Sequence, residues 1–140
     1  MTHAPARPAD TAGRSDGLLW GLRIIGAILL AAMGWIHLDL WWDGYRTIDV
    51  IGPALLLNAI AGFGLAALLL VTPRPLVPWV AVLGALMAAG TLAGLLATTV
   101  GPFGFRESTA AALWWESFWV EVAAVVVLAA LAAVGRARHA

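Results

Sequence analysis

Four long apolar stretches, separated by short polar or proline- and glycine-bearing segments, organise this chain. They cover residues 18–40, 51–71, 79–100 and 113–134. A helix of about 20 residues crosses the roughly 30 Å hydrocarbon core of a bilayer, and each stretch is long enough to do so. None alternates apolar and polar positions with period two, which argues against a β-barrel. Each break has a local cause. Ser15 and Asp16 precede the first stretch and suit a helix cap. Asp43-Gly44 interrupts the chain after it. The segment TPRPLVP at 72–78 ends the second stretch, because proline lacks the amide hydrogen and biases its predecessor away from helix. GPFG at 101–104 ends the third and GRAR at 135–138 the fourth. With connections this short, the pattern predicts an all-α protein, an integral membrane antiparallel four-transmembrane-helix bundle over 18–134. Residues 1–17 read as a disordered cytoplasmic tail and 135–140 as a second cytoplasmic tail. A signal peptide over 1–42 is the rival reading. The first apolar run is longer than a typical signal core, and no convincing small-residue cleavage site precedes a mature domain.

Composition agrees with the pattern. The chain has 140 residues, 62% hydrophobic and only 11% charged, with a mean hydropathy of +0.91; soluble domains carry about 25% charged residues. A formal net charge of zero gives no basic field for nucleic acid. Absence of cysteine excludes disulfides, thiolate metal sites and thiol nucleophiles. There is no lysine, and the Ala, Leu, Val, Gly and Arg bias resembles that of a high-GC bacterial genome. Arginines set direction. Arg7, Arg14, Arg74, Arg136 and Arg138 fall on one side, Arg46 and Arg106 on the other. The positive-inside rule then puts both termini in the cytoplasm of a bacterium, with the chain in its cytoplasmic membrane. Trp20 and Trp79 mark the inner interface; Trp35, Trp41, Trp42, Trp114, Trp115 and Trp119 mark the outer one.

Packing in lipid relies on small residues. Arg23, Gly26, Ala27, Leu30, Gly34 and His37 share one face of the first span, with Arg23 placed to snorkel toward the inner interface. Ala54, Asn58, Ala61 and Gly62 share a face of the second. Gly90 and Gly94 form GxxxG in the third, with Thr98 one turn further out. Trp114, Ser117, Glu121 and Ala124 share a face of the fourth. The matching runs GAILLAA at 26–32 and GALMAA at 84–89 hint at a parallel two-helix repeat.

The segment 34–49, GWIHLDLWWDGYRTID, carries the candidate chemistry. Ionisable groups near a span cost free energy and call for a reason. His37, Asn58, Thr98 and Glu121 fall in the outer halves of their spans. They predict one polar cluster, joined by Asp39 and roofed by the loop carrying Asp43, Tyr45, Arg46 and Asp49, with Arg46 as counter-ion for Glu116, Glu121 or a nearby aspartate. His37 with Asp39, Asp43 and Glu116 or Glu121 has the right ligand types for a divalent metal, His37 and Glu121 foremost, without the spacing of a known motif; an interfacial His–acid hydrogen-bond network is the rival reading. As the only histidine near a span, His37 could supply only one haem ligand per chain. Inner halves made almost wholly of Ala, Leu, Val and Gly argue against a transmembrane proton path within one chain. Nor does any nucleophile–base pair stand out, so catalysis has no sequence signature. Small-residue faces, a dense aromatic rim and a few polar groups fit a pocket for a lipid, quinone or other hydrophobic molecule. The bland alternatives are an interfacial anchor and a folded cap.

His37-Leu38, then Gly44, Tyr45, Arg46, Ile48, Ile51 and Gly52, then Leu56, Leu57 and Asn58 form a pattern of their own. It resembles a group of small actinobacterial membrane proteins with His-Leu near the end of helix one, Gly-Tyr-Arg-x-Ile-Pro-x-Ile-Gly, and Leu-Leu-Asn in helix two. Asp49 stands where those have proline, and Pro53 adds a separate break. The general appearance is similar to DoxX-like four-helix proteins. The resemblance covers helices one and two and implies a four-helix membrane fold with no assigned chemistry. The resulting expectation is a protein that binds a small hydrophobic ligand or a partner subunit through an outer-leaflet polar cluster, in contact with membrane lipids or a second copy of itself. The alternatives are an accessory subunit of a membrane complex and a metal- or haem-dependent redox component.

Overall fold

The computed structural model describes residues 8–101 and 104–137, with side chains from residue 13 onward. Among these residues the fold is all helical. Helix α1 spans Pro8–Trp42, α2 Ile51–Val71, α3 Val77–Thr98 and α4 Trp114–Ala137, with short 3-10 turns at Tyr45–Thr47 and Arg74–Leu76. All four helices are long and apolar enough to cross a membrane. Their outer surface is apolar as well: Ile28, Leu57, Ile60, Leu86 and Val126 are 60–67% exposed.

Helix α1 begins ten residues earlier than the hydropathy suggests, so residues 8–17 are helical rather than a disordered tail; residues 1–7 lie outside the described region. No proline follows Pro8 within α1 to stop the helix. Pro78 occupies the first turn of α3. Gly135 does not end α4. The helix runs through it, and a Cβ there would lie 2.6 Å from the Pro78 ring, a close approach that glycine permits. Residues 138–140 of the expected second tail lie outside the described region.

Leu30, Met33, Leu69, Leu128 and Leu131, all fully buried, form the centre of the bundle. Helices α1 and α2 pack backbone to backbone. A Cβ on Gly34 would stand 3.1 Å from the Ala59 carbonyl, and one on Gly62 would stand 2.9 Å from the Leu30 carbonyl. Here small residues bring backbone against backbone. Helix α4 packs on both α1 and α3, whereas α2 and α3 meet sparsely.

Arg23 explains how the α1–α2 pair is closed at the end carrying Arg74 and Arg136. Rather than snorkelling away, it is 4% exposed and donates to the carbonyls of Leu69, Leu70 and Thr72. Those carbonyls belong to the last turn of α2 and its cap, which have no partners within the helix. The guanidinium also lies over the Trp20 ring and meets the negative end of the helix dipole. Nearby, Asp16 faces Arg74 at 3.8 Å and Arg136 lies over Trp79.

Candidate functional site

At the opposite end the sparse α2–α3 seam opens into a cavity of about 390 Å³. Leu55, Leu86, Met87, Leu95 and the backbone of Gly90 and Gly94 form its apolar walls. The loop after α3 covers it with Phe105, Glu107 and Leu113, and the turn after α1 adds Tyr45. Gly90 and Gly94 do not pack a helix, contrary to the GxxxG expectation. A Cβ at either would meet nothing within 4 Å. Ala54, Leu86, Gly90 and Gly94 are also exposed, so the cavity opens sideways between the two helices.

His37, Asn58, Thr91 and Glu121 sit roughly one to two turns inside this end of their helices. Asn58 donates its amide to the Thr91 hydroxyl, which donates its own hydrogen to the Met87 carbonyl. That chain of donors fixes the amide orientation and leaves Asn58 Oδ1 buried with no hydrogen-bond partner. His37 Nδ1 lies 2.8 Å from the Met33 carbonyl, which can only accept, so Nδ1 carries the hydrogen. Its Nε2 then faces Glu121 Oε1 at 3.6 Å, an ion-pair distance too long for a hydrogen bond. Glu121 is fully buried, and neither of its oxygens has a hydrogen-bond partner. His37 lines the cavity and Glu121 stands behind it.

The roof is held by Tyr45, whose hydroxyl donates to Glu107 Oε2 at 2.5 Å. Burial, then the hydrogen bond and the negative charge of Glu107, push the Tyr45 hydroxyl up to about 12. The Ser108 amide donates to the other Glu107 oxygen, and the Glu107 amide donates to the Thr98 carbonyl. Two residues flanking the roof are strained. Val50 has φ 67° and forms a tight turn in which the Ile51 amide donates to the Asp49 carbonyl. Leu113 has φ 62° just before α4. Positive φ is costly for both side chains, and such strain tends to gather at functional sites. Gly52 has a different role: a Cβ there would fall 2.5 Å from the Arg46 carbonyl, so only glycine lets the 45–47 turn fold down onto α2.

Of the residues singled out in the sequence, His37, Tyr45 and Asn58 line the cavity and Glu121 joins them through His37. Asp39, Asp43, Arg46 and Glu116 do not; all four side chains are exposed. Arg46 lies over the Trp42 ring rather than beside Glu116 or Glu121, because the Gly44 turn carries it outward. Glu116 occupies the first turn of α4, where the helix dipole favours an acid. Thr98 lines the cavity mouth, while Thr91, two turns deeper, is the partner of Asn58. Glu107 and Thr91 were missed. Glu107 is the only acid between the third and fourth spans, and Thr91 shares a face with Thr98 at two-turn spacing; both signals were present in the sequence. For the metal reading, no three of His, Asp and Glu come together among the described residues. The His37–Glu121 pair stands without a third such ligand, and one histidine nitrogen is already engaged with Met33.

Compared with models of protein families, with curated proteins and with solved structures, the chain matches none. The functional reading therefore rests on the geometry of the site.

Proposed function

We propose that this is a multi-pass membrane protein whose four helices span the bilayer in antiparallel order and whose α2–α3 cavity holds a small hydrophobic ligand. The observation that carries the reading is the cavity itself. Its 390 Å³ falls within the usual range for small-molecule sites, and its apolar walls surround a few polar groups. A lateral opening between α2 and α3 suits a guest arriving from lipid. The band of exposed Ile, Leu and Val on the helices supports insertion. Arg14, Arg74 and Arg136 outnumber Arg46 and Arg106 at the other end, which supports placing the termini in the cytoplasm of a bacterial cell. The cavity then lies in the outer leaflet.

Two measurements test this. The chain has no cysteine, so single cysteines can be introduced without background. Cysteines at 74 and 106 should react with an impermeant thiol reagent from opposite sides of the membrane; labelling from one side overturns the topology. Native mass spectrometry of protein taken from membranes in mild detergent should show a retained small molecule. Gly94→Leu, which fills open space, should lose it. Equal retention by both proteins places the molecule elsewhere and overturns the cavity as the site.

A further inference from the structure

The polar atoms lining the cavity are sorted by sign. Thr91 donates its hydroxyl hydrogen to the Met87 carbonyl, and Thr98 donates to the Leu95 carbonyl. Tyr45 spends its hydrogen on Glu107, and Asn58 donates an amide hydrogen to Thr91. The Nδ1 hydrogen of His37 is directed to Met33. What these side chains have left to offer is chiefly oxygen lone pairs: Thr91, Thr98 and Tyr45 hydroxyl oxygens, Asn58 Oδ1, and the carboxylate of Glu107. Asn58 Oδ1 is buried with no partner at all. Spare donors are fewer: the second amide hydrogen of Asn58 on α2, and Trp114 Nε1 and the Ser117 hydroxyl on the first turn of α4.

Charge points the same way. Neither lysine nor arginine is among the lining residues, while Glu107 is. Arg106, in the loop that covers the cavity, is directed at the Thr99 carbonyl. An anionic head group would thus meet mostly acceptor oxygens and a carboxylate, with no lysine or arginine to balance them. A donor-bearing cation would satisfy them, since a buried acceptor without a donor costs free energy. The rings of Tyr45, Phe105 and Trp114 add faces on which a cation is held favourably.

We propose that the ligand is a small organic ammonium ion: an apolar body lying between α2 and α3, with a protonated amine whose hydrogens meet Asn58, the lining hydroxyl oxygens and the carboxylate of Glu107. This rests on the cavity being a ligand site, and it adds the chemical class. The size fits a phenylalkylamine rather than a two-chain lipid. Recognition by hydrogen donation also separates a primary amine from a quaternary ammonium, which has charge but no N–H.

The test uses the full chain in nanodiscs of zwitterionic lipid and three probes of matched shape: phenylbutylamine, phenylbutanol and phenylbutyrate. Equilibrium dialysis is read against Gly94→Leu nanodiscs, which correct for partition into lipid. Phenylbutylamine should bind saturably, at least tenfold more tightly than the alcohol, with phenylbutyrate weakest. Glu107→Gln keeps an oxygen for Tyr45 while removing the charge. It should weaken the amine at least tenfold and leave the alcohol within a factor of about two. If the alcohol or the carboxylate binds as tightly as the amine, in a manner that Gly94→Leu abolishes, the cavity stands as a site and the ammonium assignment is overturned. An amine that binds Glu107→Gln as well as wild type overturns it too. If none of the three shows binding that Gly94→Leu removes, both the assignment and the cavity reading fall.

Discussion

The α1–α2 and α2–α3 seams are built from the same kind of residue and behave in opposite ways. In the first, Gly34 and Gly62 let two backbones touch, with a Cβ on Gly62 only 2.9 Å from the Leu30 carbonyl. In the second, Gly90 and Gly94 face open space. A pair of glycines four apart states only that no side chain projects there. Whether a neighbouring helix or a cavity fills that space depends on what the neighbour presents. Helix α1 offers Gly34 against Gly62, whereas α2 offers Leu55 and Asn58 to the cavity beside Gly90 and Gly94. The polar groups follow the same division. Arg23, at the closed seam, has three carbonyl partners, while Asn58 Oδ1 at the open seam has none. Buried polar groups are nearly always satisfied, so an unsatisfied one beside a cavity marks a site more strongly than does a buried charge with its partners in place.

The sharpest way to break this contrast is to place a large side chain in each seam. Gly62→Leu drives its side chain into the α1 backbone, which cannot yield as a flexible side chain can. We expect a loss of about 3 kcal/mol or more, at or above the upper end for overpacking, read as a large fall in thermal midpoint in mild detergent. A loss below about 1 kcal/mol would show that the seam is looser than drawn. Arg23→Ala leaves the last carbonyls of α2 without partners and should cost on the order of 3 kcal/mol, since hydrogen bonds to charged groups contribute about 1.5–3 kcal/mol each and are not additive. Arg23→Lys should recover only part of this, because a single ammonium does not reproduce the guanidinium fork. Gly94→Leu is the counterpart in the open seam. Its stability should stay within about 0.5 kcal/mol of wild type, as for substitutions that meet no neighbour, even as ligand retention is lost. A large destabilisation there would mean that the two seams do not differ as described.

Much of this division is legible in the sequence, and the part that is not has an identifiable cause. Hydropathy located all four helices to within a few residues except at the start of α1, where helix continues past the apolar segment. Depth along the spans brought His37, Asn58 and Glu121 to one level, and they do lie near one another around the cavity. Periodicity along a single helix could not tell which polar residues face inward at the ends. Asp39 and Asp43 lie close to His37 in sequence, yet both are exposed, Asp39 on the outer face of α1 and Asp43 in the turn after it. Arg46 was assigned to an acid because charge seeks charge, but its backbone carbonyl is pinned above Gly52 and its side chain leaves over Trp42. Glu107 was invisible as a site residue because its role depends on a loop folding back across α3. That loop is fixed by the Glu107 amide on the Thr98 carbonyl, a contact no hydropathy pattern contains.

The roof offers the finest test of the open seam. Tyr45 is the only tyrosine in the chain, so tyrosinate absorbance reports it without ambiguity. In the folded protein its hydroxyl is held up to about 12, against an ordinary 10.0. The protonated phenol is the form that donates to Glu107, so the closure is fully formed below pH about 10 and is lost as pH rises through about 12. Glu107→Gln removes the negative neighbour but not the burial, and burial is the larger cause. The midpoint should therefore fall in that variant while staying above the value of the unfolded chain. A drop all the way to the unfolded value would show that Glu107 alone sets the shift, and that Tyr45 stands in water rather than beneath the loop. An unmoved midpoint would show that the Tyr45–Glu107 contact does not close the cavity in solution. Only the intermediate result leaves both in place: a roof that excludes water and a carboxylate that reaches beneath it.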